Sequence, residues 1–340
     1  MQQDFNSYAQ RIIYGHKLAF SDFVPISSKK SSESGQREFH SLLKNIIDTL
    51  YDDPATLKMP ITDDLVKLDY SSTPNEITKI RLSLTKVMYE FYSFMYETGK
   101  YGVIDGKQMT VQLSVYKTAK ISVKPIYLEF LSRFDVVGTK TKETLTLPCD
   151  NSELFHAWQL LSEVSSNLFR FACGMYNDDL SYLLRRAELQ LGLNDGFLSE
   201  CEEKLLKNGF TKRSRTNLGK TEMMFEFRYI KQSSGIIINN GSRSPFVNAL
   251  SNSHQGYKAM LENFDDFDDD IRAYLVKIDR GCKVGCTECG KPEKAGWTIK
   301  VNFDNEDLSI CPKWPNNKLD IRDIDFLIKF FTLQDEYASK

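Results

Sequence analysis

Four cysteines place the tightest constraint on this chain. They fall in one stretch, Gly281 to Trp314, which reads GCKVGCTECGKPEKAGWTIKVNFDNEDLSICPKW. Cys282, Cys286 and Cys289 follow a C-x3-C-x2-C spacing, and Cys311 stands apart in a Cys-Pro dipeptide. The whole chain has seven cysteines in 340 residues, so more than half are gathered here. In a reducing compartment, clustered thiols point to metal or redox chemistry more than to disulfides. Thiolates hold Zn2+ tetrahedrally at about 2.3 Å, usually with two ligands on a C-x2-C turn. Cys286-Thr-Glu-Cys289-Gly has that form, and its glycine lets the backbone turn over a metal.

The residues that follow predict a hairpin. Trp297–Phe303 and Asp307–Ile310 pair across Asp304-Asn305-Glu306 and deliver Cys311 back toward the first turn. Turn, hairpin and Cys-Pro in that order resemble a zinc ribbon. The second knuckle of a ribbon would be C-P-x-C. Here it is Cys311-Pro312-Lys313-Trp314, with Trp314 where the last ligand belongs. Cys282 can supply the missing thiolate, so the expected site is Cys282, Cys286, Cys289 and Cys311. Four protein ligands leave no open position, which makes the site structural. Four thiolates also hold a [4Fe–4S] cluster, and ligand type alone does not separate the two metals. The three-cysteine spacing is also similar to the cluster loop of radical S-adenosylmethionine enzymes. Too little chain follows for their barrel, and Glu288 stands where an aromatic often precedes the last cysteine. His16, His40, His156 and His254 are scattered, and none is an evident further ligand.

Length and composition bound the rest. The chain is long enough for about two domains. Its net charge of −2 gives no global attraction to nucleic acid or to anionic membrane. No apolar run approaches the ~20 residues of a membrane span. The first residues lack a basic region followed by an apolar one, so no signal peptide is expected and the predicted location is the cytoplasm.

The pattern predicts an α+β fold, helix-rich with short antiparallel sheets and a C-terminal four-cysteine zinc-ribbon-like module. Three regions are expected: 1–150, an N-terminal α+β part; 151–280, helical with a small antiparallel sheet; and 281–340, the metal-binding module with a terminal helix. Ser-rich residues 24–36 read as a mobile loop or arm, followed by a helix over 37–51. The clearest helix runs from Pro74 to Thr98 and ends at Gly99. Strands are expected at 109–115, 134–137 and 144–147, with a short helix between the first two. Helices follow at 152–175, 180–193 and 197–207. Three strands are expected over 210–240, a broken helix over 245–278, and a last helix over 321–337.

Other chemistry is sparse. Lys212, Arg213, Arg215, Lys220 and Arg228 lie in the most basic stretch, interleaved with Phe225, Phe227 and Tyr229. Basic and aromatic side chains together can hold single-stranded nucleic acid. The same alternation also describes a solvated strand with its aromatics in the core, and that reading is favoured. Cys173 lies in an apolar helix end and reads as buried. Asp268–Asp270 suit the N-terminus of a helix near Ile271. There is no Gly-rich phosphate loop, G-x-S-x-G elbow or H-E-x-x-H.

Residues 99–108, GKYGVIDGKQ, taken with GCKVGCTECGK and ICPKW, resemble bacterial proteins of unassigned function with a C-terminal four-cysteine, zinc-ribbon-like module. That resemblance implies no activity. The expected role is a cytoplasmic metal-binding protein that binds or regulates, stapled by structural zinc. The alternatives are an Fe–S protein in electron transfer or redox sensing, and an enzyme whose site in residues 1–280 leaves no motif. The partner stays open in the sequence.

Overall fold

A serine begins the helix that organises the first part of the molecule. In the computed structural model, which describes residues 7–59, 74–148, 151–164, 167–218, 223–241, 245–249, 254–279, 298–312 and 319–339, helix α2 spans Glu33–Asp52. The Ser32 hydroxyl caps it by accepting from the Gly35 amide, as N-cap serines do. The helix therefore starts inside the Ser-rich stretch that the sequence reads as loop. The loop before it is pinned. Buried Gln36 accepts from the Ile26 amide at 3.1 Å and donates to the Ile26 carbonyl at 2.9 Å. Phe39, Leu42, Leu43, Ile46, Ile47 and Leu50 form its buried face. Burial of each such side chain stabilises by about 1.5–3 kcal/mol.

The chain divides into two compact units. One comprises Met1–Arg186, Thr216–Phe225 and Gly241–Ser244; the other comprises Ala187–Arg215, Glu226–Asn240 and Pro245–Lys340. Residues 149–150, at the first expected boundary, lie outside the described residues, and both their flanks belong to the first unit.

In the first unit, α1 (Tyr8–Ala19), which the sequence reading did not anticipate, packs on α2 and on α3 (Pro74–Tyr101). Helix α3 runs through Gly99 instead of stopping there. The glycine is a packing position, because a Cβ on it would meet Trp158 and Ser162 of α6 (Ser152–Val164). The expected helix over 152–175 is two, α6 and α7 (Leu168–Ala172), and the Asn167 side chain restarts the second by accepting from the Phe169 amide.

GKYGVIDGKQ makes the end of α3 and then a hairpin. Strand β1 (Val103–Asp105) pairs with β2 (Gln108–Gln112) through a turn in which Gly106 has φ +59°. The strand expected over 109–115 stops early, since Leu113 begins α4 (Leu113–Thr118). The strand expected over 134–137 is absent. Those residues follow α5 (Pro125–Ser132), with the Arg133, Phe134, Asp135 and Val136 amides bonded back to its last turn and Asp135 at φ +61°. With β3 (Thr139–Lys140) and β4 (Thr144–Pro148) the order is β1-β2-β4-β3, with every pairing antiparallel.

Helix α8 (Tyr182–Leu191) supplies Glu188, which is buried. Helix α9 (Phe197–Lys207) has only Gly196 at its N-cap. The Glu188 carboxylate replaces the missing cap by accepting from the Gly196 and Leu198 amides at 3.1 and 2.6 Å. A second sheet has the order β5-β6-β7-β8: Thr211–Leu218, Met223–Lys231, Ser234–Gly241 and Pro245–Ala249. Pro245–Ala249, expected to be helical, is therefore a strand. It pairs antiparallel with β7, and its proline sits at the strand's first residue, where a lost amide is tolerated.

Helices α10 (His254–Glu262), α11 (Asp269–Lys277) and α12 (Ile324–Ala338) complete the second unit. Asp268 caps α11 by accepting from the Ile271 amide, as the acidic run predicts. The hairpin before α12 is present as β9 (Ile299–Phe303) and β10 (Glu306–Ile310). Its turn is two residues, Asp304 and Asn305, both at positive φ, the conformation that suits a tight hairpin. The molecule is thus helix-rich with short antiparallel sheets. Among the described residues, no helix is long and apolar enough to cross a membrane.

Candidate metal centre

Cys286 and the other two N-terminal thiols of the expected site, Cys282 and Cys289, lie outside the described residues, as does the noncluster Cys149. Cys311 is described, and so are both ends of the segment that carries the other three. The chain leaves the described structure after Asp279, at the end of α11, and returns at Thr298, just before β9. Both ends lie beside Cys311. The Cys311 amide donates to the Asp279 carboxylate at 3.4 Å. On the other side, Ile310 pairs with Ile299, so Cys311 follows that pair by one residue and Thr298 precedes it by one. Asp279 and Thr298, the described residues that flank 280–297, therefore both lie next to Cys311.

Local packing holds this junction. Val301 and Ile310 are buried, and Phe303 of β9 meets Phe264 edge-on at 6.2 Å between ring centres. Tyr257 of α10 is fully buried, and its hydroxyl donates to the Leu275 carbonyl at 3.1 Å. Burial raises the Tyr257 hydroxyl above the usual tyrosine range, and the nearby Asp279 and Cys311 add to that. Beyond residues 313–318 the chain resumes at Leu319, whose amide donates to the Val247 carbonyl of β8 at 2.9 Å.

Cys311 is half-buried and forms no disulfide with another described cysteine. A reachable thiol at a strand end, with a proline behind it, suits a metal ligand. Among the described residues, no three His, Cys, Asp or Glu side chains are grouped to hold a metal ion. The other two described cysteines, Cys173 and Cys201, are buried. Burial pushes the Cys201 thiol up to about 11 and raises Cys173 further. A thiol raised in this way is a poor nucleophile at neutral pH.

Sequence reasoning missed Asp279 and Tyr257. Spacing could not reveal them, because they join the site only when α10, α11 and the hairpin pack together.

The basic stretch is split by pairing. Lys212 lies 2.7 Å from Glu202 and over the Phe227 ring. Arg228 pairs with buried Glu226, whose other oxygen accepts from Asn239. Lys220 lies outside the described residues. Phe225, Phe227 and Tyr229 are buried at 1%, 2% and 0% exposure, so they offer no face on which a base could stack. Arg213 and Arg215 are exposed.

In comparisons with protein-family models, curated proteins and solved structures, nothing matches this chain.

Proposed function

We propose that this chain is a cytoplasmic metal-binding protein that acts by binding or regulation. In this reading Cys282, Cys286, Cys289 and Cys311 hold one structural zinc ion, which staples a zinc-ribbon-like module. The observation that carries the reading is the convergence at Cys311. Asp279 and Thr298 bound the segment with the other three thiols, and both lie beside that residue. Because the residues that flank the segment both lie at the fourth thiol, four thiolates on one ion are within reach of the described framework. Four thiolates leave no place for water or substrate, so zinc there contributes folding free energy and not chemistry.

Elemental analysis of the full chain, purified without oxygen, tests this. The expected result is about one zinc per chain, the content of a single closed site. Stoichiometric iron with acid-labile sulfide would replace zinc by a cluster. A metal-free protein with the hairpin folded would end the four-thiolate reading.

A further inference from the structure

We infer that the outer edge of β5 is a docking site for an extended acidic polypeptide segment. Strand β5 ends its sheet, and no described strand pairs with its outer side. Thr211, Lys212, Arg213, Ser214 and Arg215 are all exposed. In a strand, side chains alternate between faces, so Arg213 and Arg215 share one face and Lys212 lies on the other.

The two faces are treated differently. Lys212 is bound to Glu202, and elsewhere in this unit Arg228 is bound to Glu226 and Lys204 to Asp325. Arg213 and Arg215 meet no carboxylate among the described residues. Two guanidinium groups without a described carboxylate partner thus stand one strand repeat apart on the last strand of the sheet, where the Thr216 carbonyl is met by the Asn167 side chain at 3.4 Å.

An open edge is a template for another strand, and proteins commonly blunt it with proline, a bulge or charge. No described residue of β5 is a proline or has positive φ. Of these devices, charge is the one that residues 211–215 carry, and charge is selective. A second copy of β5 would set arginine against arginine and be repelled. A strand with carboxylates at alternate positions would place them opposite Arg213 and Arg215 while its backbone completes the ladder. Single-stranded nucleic acid fits less well, because the neighbouring aromatics are buried. The site uses none of the cysteine residues.

Fluorescence anisotropy on the full chain tests the inference. The probe is a labelled peptide that alternates glutamate with threonine and valine. It should bind at low salt, and adding it should slow exchange of the alternate β5 amides that face away from β6. A peptide with proline in place of each threonine keeps the charge but cannot extend the sheet, and it should bind roughly tenfold more weakly or worse. The paired variant R213E with R215E should also lose roughly tenfold or more, and the paired glutamine variant should fall between. Both side chains are exposed, and circular dichroism will show whether the variants keep the fold. Equal binding of the proline peptide, an unchanged R213E and R215E variant, no binding at low salt, or tighter binding of oligothymidylate would each overturn the proposal.

Discussion

Trp158 fills the space beside Gly99. Its Nε1 lies 2.8 Å from where a Cβ on Gly99 would stand, and the same indole nitrogen donates to the Met95 carbonyl at 2.8 Å. The ring is fully buried and stacks on Phe39 of α2 at 5.3 Å. It cannot retreat without breaking that bond and that stack. In an open helix, alanine would be favoured over glycine by about 0.8–1 kcal/mol. Overpacking a rigid core site costs about 1–3 kcal/mol, and here it should win. Gly99→Ala should therefore lower the urea midpoint. Gly15→Ala is the control: Gly15 lies within α1 with nothing within 4 Å of its added Cβ, so this variant should be neutral or more stable. A stabilising Gly99→Ala would show that the crossing of α3 and α6 is looser than described.

Asp335 ties the end of α12 to the turn between β6 and β7. Its Oδ1 accepts from the Ser233 amide at 3.1 Å, the Ser233 hydroxyl at 2.9 Å and the Ser234 amide at 3.0 Å. The residue is 2% exposed, so water cannot replace those bonds. Asp335→Ala should cost about 2–3 kcal/mol, the range for losing a buried charged acceptor. Asp335→Asn keeps an acceptor oxygen and should cost less. Equal loss in both variants, measured by denaturant unfolding, would refute this account.

His16 should make the protein acid-sensitive. It is buried against Tyr92, with ring centres 6.2 Å apart, and burial lowers its pKa from 6.5 to about 4. The neutral form is the one that folds. Above pH 6.5 the ring is neutral in both states and the shift has no effect on stability. As pH falls from 6.5 toward 4 the unfolded chain takes a proton that the folded chain refuses, and stability is lost. At about 1.4 kcal/mol per pH unit the full loss is about 3 kcal/mol. His40, also lowered mainly by burial, changes stability in the same direction. Stability of His16→Gln should fall less than that of wild type between pH 7 and pH 4.5. Parallel pH curves would remove His16 from the explanation.

If the proposed metal site is correct, Cys311→Ser should lower metal content below one per chain. It should also open the hairpin. Amides such as Leu308 and Val301, opposite each other in the ladder, should then exchange faster, while α2 and α3 keep their protection. Zinc binding in small modules contributes on the order of 10 kcal/mol of folding free energy, so the effect should be large. Wild-type metal content in this variant would remove Cys311 from the ligand set.

Local rules carried the legible part of this chain. Apolar spacing along α2 and α3, the limits of α9, the Asp268 cap and the β9–β10 hairpin all depend on residues close in sequence, and the sequence alone determines them. It also singles out Cys311 and its three companion thiols as candidates. Where it failed, a distant partner decided the outcome. Gly99 reads as a helix stop until Trp158 is laid beside it, and then it is the residue that lets α3 continue. Residues 134–137 read as a strand, but their amides go back to α5. Pro245–Ala249 becomes a strand because β7 offers it an edge. The pairing of Lys212 with Glu202, the lack of a described carboxylate partner for Arg213 and Arg215, and the meeting of Asp279 with Cys311 were likewise decided by tertiary structure. Periodicity states which face of an element is apolar. Only packing decides what that face meets, and which charges are left without a partner.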